Sequence, residues 1–300
     1  MNSEPSKKNF VKWPSLYTSP QGEAVLKPSF VLYADLLGWK KRCTEAFNEK
    51  KGDEYLAETK KVFKEAYYSM DDIINQPDTS HPTPPPFELK RFTDNLVLGY
   101  PLLGEDNYEE TGRLEAYEMF QLINTLQCMF ALYGHLMRGA LSFGEHYMDD
   151  DFVFGEALIE AVGSDKSGGP PCIMIAKSAR DRLETSQDCF SHEPFGSFSQ
   201  YLLDDGNGNW FVDYLKYSDV GDDSTRFEII EAHMNLIVDN LNNHKHDIST
   251  KMKYIWTANY HNYFCERYIA GPHEYTEEME KQIIPIGVEV FKPRPISNSP

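Results

Sequence analysis

Two aspartates stand where strand-like runs end. Carboxylates fixed on rigid strands are suited to holding divalent ions over a triphosphate. Asp35 closes the apolar run Phe30-Val-Leu-Tyr-Ala-Asp35, just before Leu36-Leu37-Gly38 and a helical pattern. Asp94 sits between Glu88-Leu-Lys-Arg-Phe92 and Leu96-Val-Leu-Gly-Tyr100, in a Thr93-Asp94-Asn95 step whose residue types tolerate a hairpin tip. If the two runs lie side by side in one sheet, both carboxylates converge at its end.

The elements that must position them follow from periodicity. Residues 1–27 are polar and aperiodic, an arm or a strap, and 28–37 form the first strand. A charged helical pattern runs from Trp39 to about Ile74, broken near Gly52; the proline-rich 77–86 cannot be helix, and a hairpin spans 87–100. From Glu109 to Gly134, Ala116, Met119, Phe120, Ile123, Leu126, Phe130 and Tyr133 recur mostly at three and four, so this helix faces a sheet. Leu136–Gly144 reads as a strand, His146–Met148 as a separate short one, and Phe152–Gly155 follows the acidic Asp149–Asp151. The order β-α-β-β-α-β is the ferredoxin-like α/β plan.

Beyond it, 172–176 reads as a strand, 177–185 as a helix and 201–215 as a hairpin turning at Gly206-Asn-Gly208. Two helices follow, faced by Phe227, Ile230, Met234, Ile237 and Leu241, and by Met252, Ile255, Trp256, Tyr260, Tyr263 and Phe264. The tail from Pro285 is extended. The expected division is an arm of 1–27, a catalytic domain of 28–200 and an extension of 201–300 that packs on the core or dimerises with it.

Composition narrows the partners. The 29 basic and 47 acidic residues give a formal net charge of -18, which argues against general nucleic-acid or anionic-membrane binding. No apolar run approaches the roughly 20 residues that span a bilayer, and the N-terminus lacks a secretory pattern. Five scattered cysteines without a Cys-x-x-Cys pair argue for a reducing, cytoplasmic setting and against zinc.

The Asp35-Leu-Leu-Gly-Trp and Phe92-Thr-Asp94-Asn95-Leu-Val-Leu stretches resemble the metal motifs of class III nucleotide cyclases. Met137-Arg138-Gly-Ala-Leu-Ser-Phe-Gly144, then Asp149-Asp-Asp-Phe-Val-Phe-Gly155-Glu-Ala-Leu-Ile-Glu-Ala161, resembles the Pycsar cyclases, bacterial anti-phage enzymes that make cyclic pyrimidine mononucleotides. Lys253–Asn262 is similar to their C-terminal region. The resemblance covers roughly residues 28–265.

It implies a homodimer with active sites at the protomer interface. Asp35 and Asp94, with the Leu36 carbonyl, would hold two Mg²⁺ or Mn²⁺ ions. It also implies conversion of UTP, or CTP, to the 3′,5′-cyclic nucleotide that switches on a separate effector. Phe30, Thr93 and Phe152, in the matched motifs, are the substrate-facing candidates, and Lys90 is placed to read a pyrimidine carbonyl. The chain departs from adenylate cyclases: their Asn and Arg on the helix after Gly155 fall on Ile159 and Gly163, and their adenine-selecting Asp on Phe152. Arg138 is therefore the candidate transition-state cation, with Lys177 and Arg180 behind it.

Plainer readings stand beside these. Asp35 and Asp94 are also turn and cap residues, Arg138 answers acids on a neighbouring strand, and Lys90 points to solvent. Asp149–Asp151 lacks the spacing of a calcium loop and reads as a solvated turn, and His261 as a core hydrogen-bonding group. A cyclase-fold binding module without chemistry is the alternative to an enzyme.

Overall fold

The computed structural model describes residues 14–74, 85–102, 112–165, 169–185, 198–216, 223–269, 286 and 292–296. Most of the proline-rich loop, the expected helix start at Glu109, Cys189 and most of the tail from Pro285 lie outside them.

The chain folds as an α/β protein around one mixed sheet. Strand β1 (Lys27–Leu36) is flanked antiparallel by β3 (Asn95–Pro101) and β4 (Met137–Met148), and β2 (Glu88–Phe92) pairs with β3. The order β2-β3-β1-β4, all antiparallel, is that of a ferredoxin-like sheet. Helices α1 (Trp39–Asn48) and α2 (Gly52–Ile74) join β1 to β2, and α3 (Arg113–Leu132) joins β3 to β4.

Because side chains alternate along a strand, β1 feeds two layers. Phe30, Leu32, Ala34 and Leu36 enter the main core with Val62 of α2 and Met119, Phe120 and Ile123 of α3. Val31 and Tyr33 face the other side, with Tyr17 of the strap and Ala157. That side carries α4 (Glu156–Asp165), which follows the short β5 (Val153–Gly155) and packs on β4 and β1. Helix α3 starts cleanly because the Glu115 carboxylate accepts from Gly112 N–H at 3.0 Å, satisfying an otherwise orphaned donor.

The expected break between Leu136–Gly144 and His146–Met148 is absent. β4 is one strand of 12 residues, because Gly144, Glu145 and His146 all keep partners on β1. The ladder overrides the local glycine signal.

The sheet continues through β6 (Ile173–Ile175), parallel to β4, to β8 (Trp210–Val212), β7 (Leu202–Asp204) and β9 (Arg294–Pro295), with α5 (Lys177–Thr185) between β6 and β7. The C-terminal hairpin thus extends the sheet formed by the first half of the chain. Helices α6 (Asp223–Asn243) and α7 (Ile248–Phe264) pack on each other. The α7 face differs from expectation. Tyr260, Tyr263 and Phe264 are buried as expected, but Met252 is exposed and Tyr254, Ala258 and His261 are buried as well. Apolar residues ring this helix, so periodicity alone does not choose its inner face. Among the described residues no helix is long and apolar enough to cross a membrane.

Candidate active site

Asp35 lies one residue from the end of β1, directly across from Arg138 of β4. The guanidinium grips the carboxylate with both arms, Nε to Oδ1 at 2.8 Å and Nη2 to Oδ2 at 2.7 Å. Such bidentate pairs are the strong, directional kind. Arg138 Nε also lies 3.5 Å from Oδ1 of Asp165, the last residue of α4. These hydrogen bonds to Asp35 raise the Arg138 pKa. Burial pushes the Asp165 carboxyl up, Asp35 adds to this, and Arg138 and Lys253 oppose it.

Lys253 comes from α7, whose neighbouring Tyr254 packs with Leu37, two residues past Asp35. Burial and the Arg138 charge lower the Lys253 pKa, against the pull of Asp35 and Asp165. Two carboxylates and two cations therefore share the end of β1 and β4.

Asp94 belongs to the β2–β3 hairpin tip, where Thr93 adopts φ 55°. Its Oδ1 accepts from the Thr93 hydroxyl at 2.9 Å and from Asn95 Nδ2 at 3.3 Å. Ala34 pairs with Leu96, so the register carries Asp35 beside Asn95, next to Asp94. Tyr33 links the two strands, its hydroxyl donating to Asn95 Oδ1. The Tyr33 pKa is raised by burial first, then by Asp35, Asp165 and Asp94, with Arg138 opposing. All three carboxylates thus act on one phenol.

Backbone alternation places a further oxygen. Leu37 N–H bonds Leu136 O at 2.8 Å and Leu102 N–H bonds Pro28 O at 2.9 Å, so odd residues of β1 address β4 and even ones β3. The Leu36 carbonyl accordingly faces the hairpin that bears Asp94, and its side chain sits in the core.

This donor set fits a hard divalent ion held jointly with substrate phosphates, which takes only one or two carboxylates from the protein. Both oxygens of Asp35 are engaged by Arg138, so an ion there must share the carboxylate with the guanidinium or displace it. Among the described residues no cluster of three His, Cys, Asp or Glu side chains stands ready to hold a metal by itself.

The other candidates lie elsewhere. Phe30 is 1% exposed in the core, on the face opposite Asp35, against Phe143 with ring centroids 5.0 Å apart. Thr93 is exposed at the hairpin tip. Lys90, on β2, is half-buried and acts electrostatically on Asp149. Phe152 is exposed and stacks on Phe154 beyond the far end of β4 from Arg138. Lys177 pairs with Asp181, and Arg180 with Glu184 at 2.9 Å and over the Trp210 ring, so neither joins the Asp35 group.

Asp149 Oδ1 accepts the N–H groups of Asp151 and Phe152 at 2.8 and 2.7 Å, and this is the expected turn. His261 is buried and its Nδ1 lies 3.0 Å from Nδ1 of His233. Sequence reasoning missed Asp165, Lys253 and Tyr33. Tyr33 had a signal, since it lies two residues before Asp35 and so on the same strand face.

The fold and site define an α/β protein with a ferredoxin-like core whose sheet end gathers carboxylates. No family model and no curated protein matches the chain. Among solved structures it is similar to a class III adenylyl cyclase-like ATP-binding protein from Pseudomonas aeruginosa. The identity is 15%, the TM-score 0.37, and the match covers 56% of this chain and 37% of that one. It is also similar to the adenylyl cyclase CyaB of P. aeruginosa, with 10% identity, a TM-score of 0.36, and 53% and 81% of the two chains covered. The chain thus spans little more than a third of the first of these, and likeness at this level says nothing of activity.

Proposed function

We propose that this chain is a cytoplasmic pyrimidine nucleotide cyclase of anti-phage signalling, converting UTP or CTP to the 3′,5′-cyclic mononucleotide. The ribose 3′ oxygen bonds the α-phosphorus as the bond to the bridging oxygen breaks. Pyrophosphate leaves and the hydroxyl proton passes to solvent. The observation that carries the reading is the β1–β3 register, bridged by the Tyr33–Asn95 hydrogen bond, which sets Asp35 at the end of β1 beside the hairpin tip that bears Asp94.

Asp35, Asp94 and the Leu36 carbonyl would hold the two Mg²⁺ or Mn²⁺ ions. Such ions polarise phosphate oxygens and acidify a bound hydroxyl. Arg138 and Lys253 then bring positive charge to the triphosphate. Lys90, Thr93 and Phe152 are the residues proposed to meet the base. Arg138 and Met148 are separated by roughly 30 Å of strand, so Phe152 and Asp35 border one nucleotide only across a homodimer. The exposed Phe152, Phe154 and Ile159 supply apolar surface for such an interface. A separate cyclic-nucleotide effector completes the proposed pathway.

A second reading is favoured by one observation. The Arg138 grip on Asp35 is a finished ion pair, as a nucleotide-binding module without chemistry would keep it. Incubation of the protein with each of the four ribonucleoside triphosphates and Mn²⁺, followed by mass spectrometry, separates the two. One cyclic pyrimidine nucleotide, lost in Asp35→Ala and Asp94→Ala, supports the cyclase. Bound nucleotide without product supports the module, and cyclic AMP overturns the base assignment.

A further inference from the structure

On the helix side of the hairpin, α1, α2 and β2 enclose a groove of about 1240 Å³. Its walls are aromatic. Trp39 and Tyr55 pack with ring centroids 5.5 Å apart, and Phe63 and the exposed Phe47 continue the surface. Its charge is inverted relative to the molecule. In a chain of formal net charge -18, the groove is lined by Lys60, Lys61, Lys64 and Arg91 against the single acid Glu65. Lys61 and Arg91 lie over the rings of Tyr133 and Phe63, at 5.9 and 5.4 Å, and the Tyr133 hydroxyl donates to Glu65.

Two groove residues carry polar groups left over by the fold. The Tyr55 hydroxyl and Thr59 Oγ1 are buried with no hydrogen-bond partner, and Thr59 is 9% exposed. Buried hydroxyls nearly always find a partner in protein, ordered water or ligand. Aromatic faces stack planar rings, clustered cations hold an anion, and unpaired hydroxyls answer ring carbonyls or amines.

We propose that this groove binds a planar heteroaromatic anion of the nucleoside-phosphate class, at a site separate from the Asp35 cluster. The groove ends at Thr93, beside Asp94, and the Asp94 charge reaches both Cys43 and Tyr55 of its wall. A ligand here therefore touches the hairpin that carries Asp94, from the face opposite the strap and α4. The proposal stands whether or not the chain is a cyclase, since of the residues given to the reaction only Thr93, at the groove's edge, lines it.

The test is calorimetric titration of the full chain with UMP and AMP in EDTA, which removes any metal-dependent binding at the carboxylates. Saturable binding of either is expected, weakened about tenfold by Thr59→Val through loss of one hydrogen bond. Lys60→Glu, at an exposed position that tolerates substitution, is expected to weaken it by a similar factor. Asp35→Asn leaves the binding unchanged. Absence of binding in EDTA overturns the proposal. So does binding indifferent to both groove variants, binding lost in Asp35→Asn, or inorganic phosphate binding as tightly as the nucleotides.

Discussion

Arg138 holds Asp35 by both carboxylate oxygens across adjacent strands, at 2.8 and 2.7 Å, with Asp165 on its other side. The side chains are 22%, 14% and 9% exposed, so water screens the cluster only in part. Replacing Arg138 with Met leaves two carboxylates close together without their main counter-charge. The expected cost is about 2 kcal/mol, below the value for a fully buried pair because of the residual exposure. Urea denaturation at pH 7 measures it. The same variant releases Asp35, so Mn²⁺ affinity, measured by calorimetry, should rise even as stability falls. A variant that lost both would show that Arg138 organises the site and does not compete for it.

Lys253 ties the C-terminal helices to this cluster. Its charge opposes the upward shift of Asp165 and sits in the field of Arg138, so under the proposed cyclase reaction it is the second cation available to the triphosphate. Lys253→Met is expected to lower cyclic-nucleotide formation about tenfold, the loss of roughly one charge-assisted contact, while Lys253→Arg retains most of it. Product measured by mass spectrometry at saturating Mn²⁺ decides this, and equal turnover in Lys253→Met and the unaltered chain would remove α7 from the site.

The cluster also shows which kinds of information the sequence holds. Asp35 and Asp94 were legible because both stand at local punctuation, one before Gly38 and one at a hairpin tip. Their neighbourhood follows from the β-α-β-β-α-β order. Asp165 and Lys253 were not legible, since the tertiary packing of α4 and α7 brings them to Arg138, and no local spacing encodes that. Phe30 illustrates the opposite limit. Both faces of β1 are buried, so an aromatic residue there has no polar alternation to say which layer it enters. Its side chain fills the core below α3, away from Asp35.

Gly139 follows Arg138 and sets how closely β4 approaches β1. A Cβ at this position would meet the Tyr33 carbonyl oxygen at 2.0 Å and the Ala34 Cα at 2.7 Å, both backbone atoms that cannot swing aside. Gly139→Ala must therefore spread the two strands at the register that pairs Asp35 with Arg138. The expected loss is about 3 kcal/mol or more, the upper part of the range for overpacking a well-packed site. A fall in thermal midpoint with loss of Mn²⁺ binding is the predicted outcome. Unchanged stability would mean that β4 can shift without disturbing the pair.

Acid sensitivity should come from four histidines. Burial is the first cause in each case, lowering His135, His146 and His261 to about 4 and holding His233 well below its ordinary value; Arg42 adds to the effect at His135 and His261 at His233. The unfolded chain binds these protons below about pH 6.5, and the folded chain holds those of His135, His146 and His261 off until about pH 4. Stability is therefore flat with respect to these groups above pH 6.5 and falls with pH between 6.5 and 4. His146 is the sharpest probe, because both ring nitrogens are buried without a hydrogen-bond partner and its ring packs edge-on to Tyr17 at 5.4 Å. His146→Phe keeps the ring, removes the titrating group and removes two unpaired polar atoms. It should stabilise the protein at pH 5 by about 1–3 kcal/mol and move the acid unfolding midpoint downward. Chemical denaturation at pH 5 and pH 7.5 tests this, with the gain expected to be larger at the lower pH. An equal gain at both would assign the effect to packing alone.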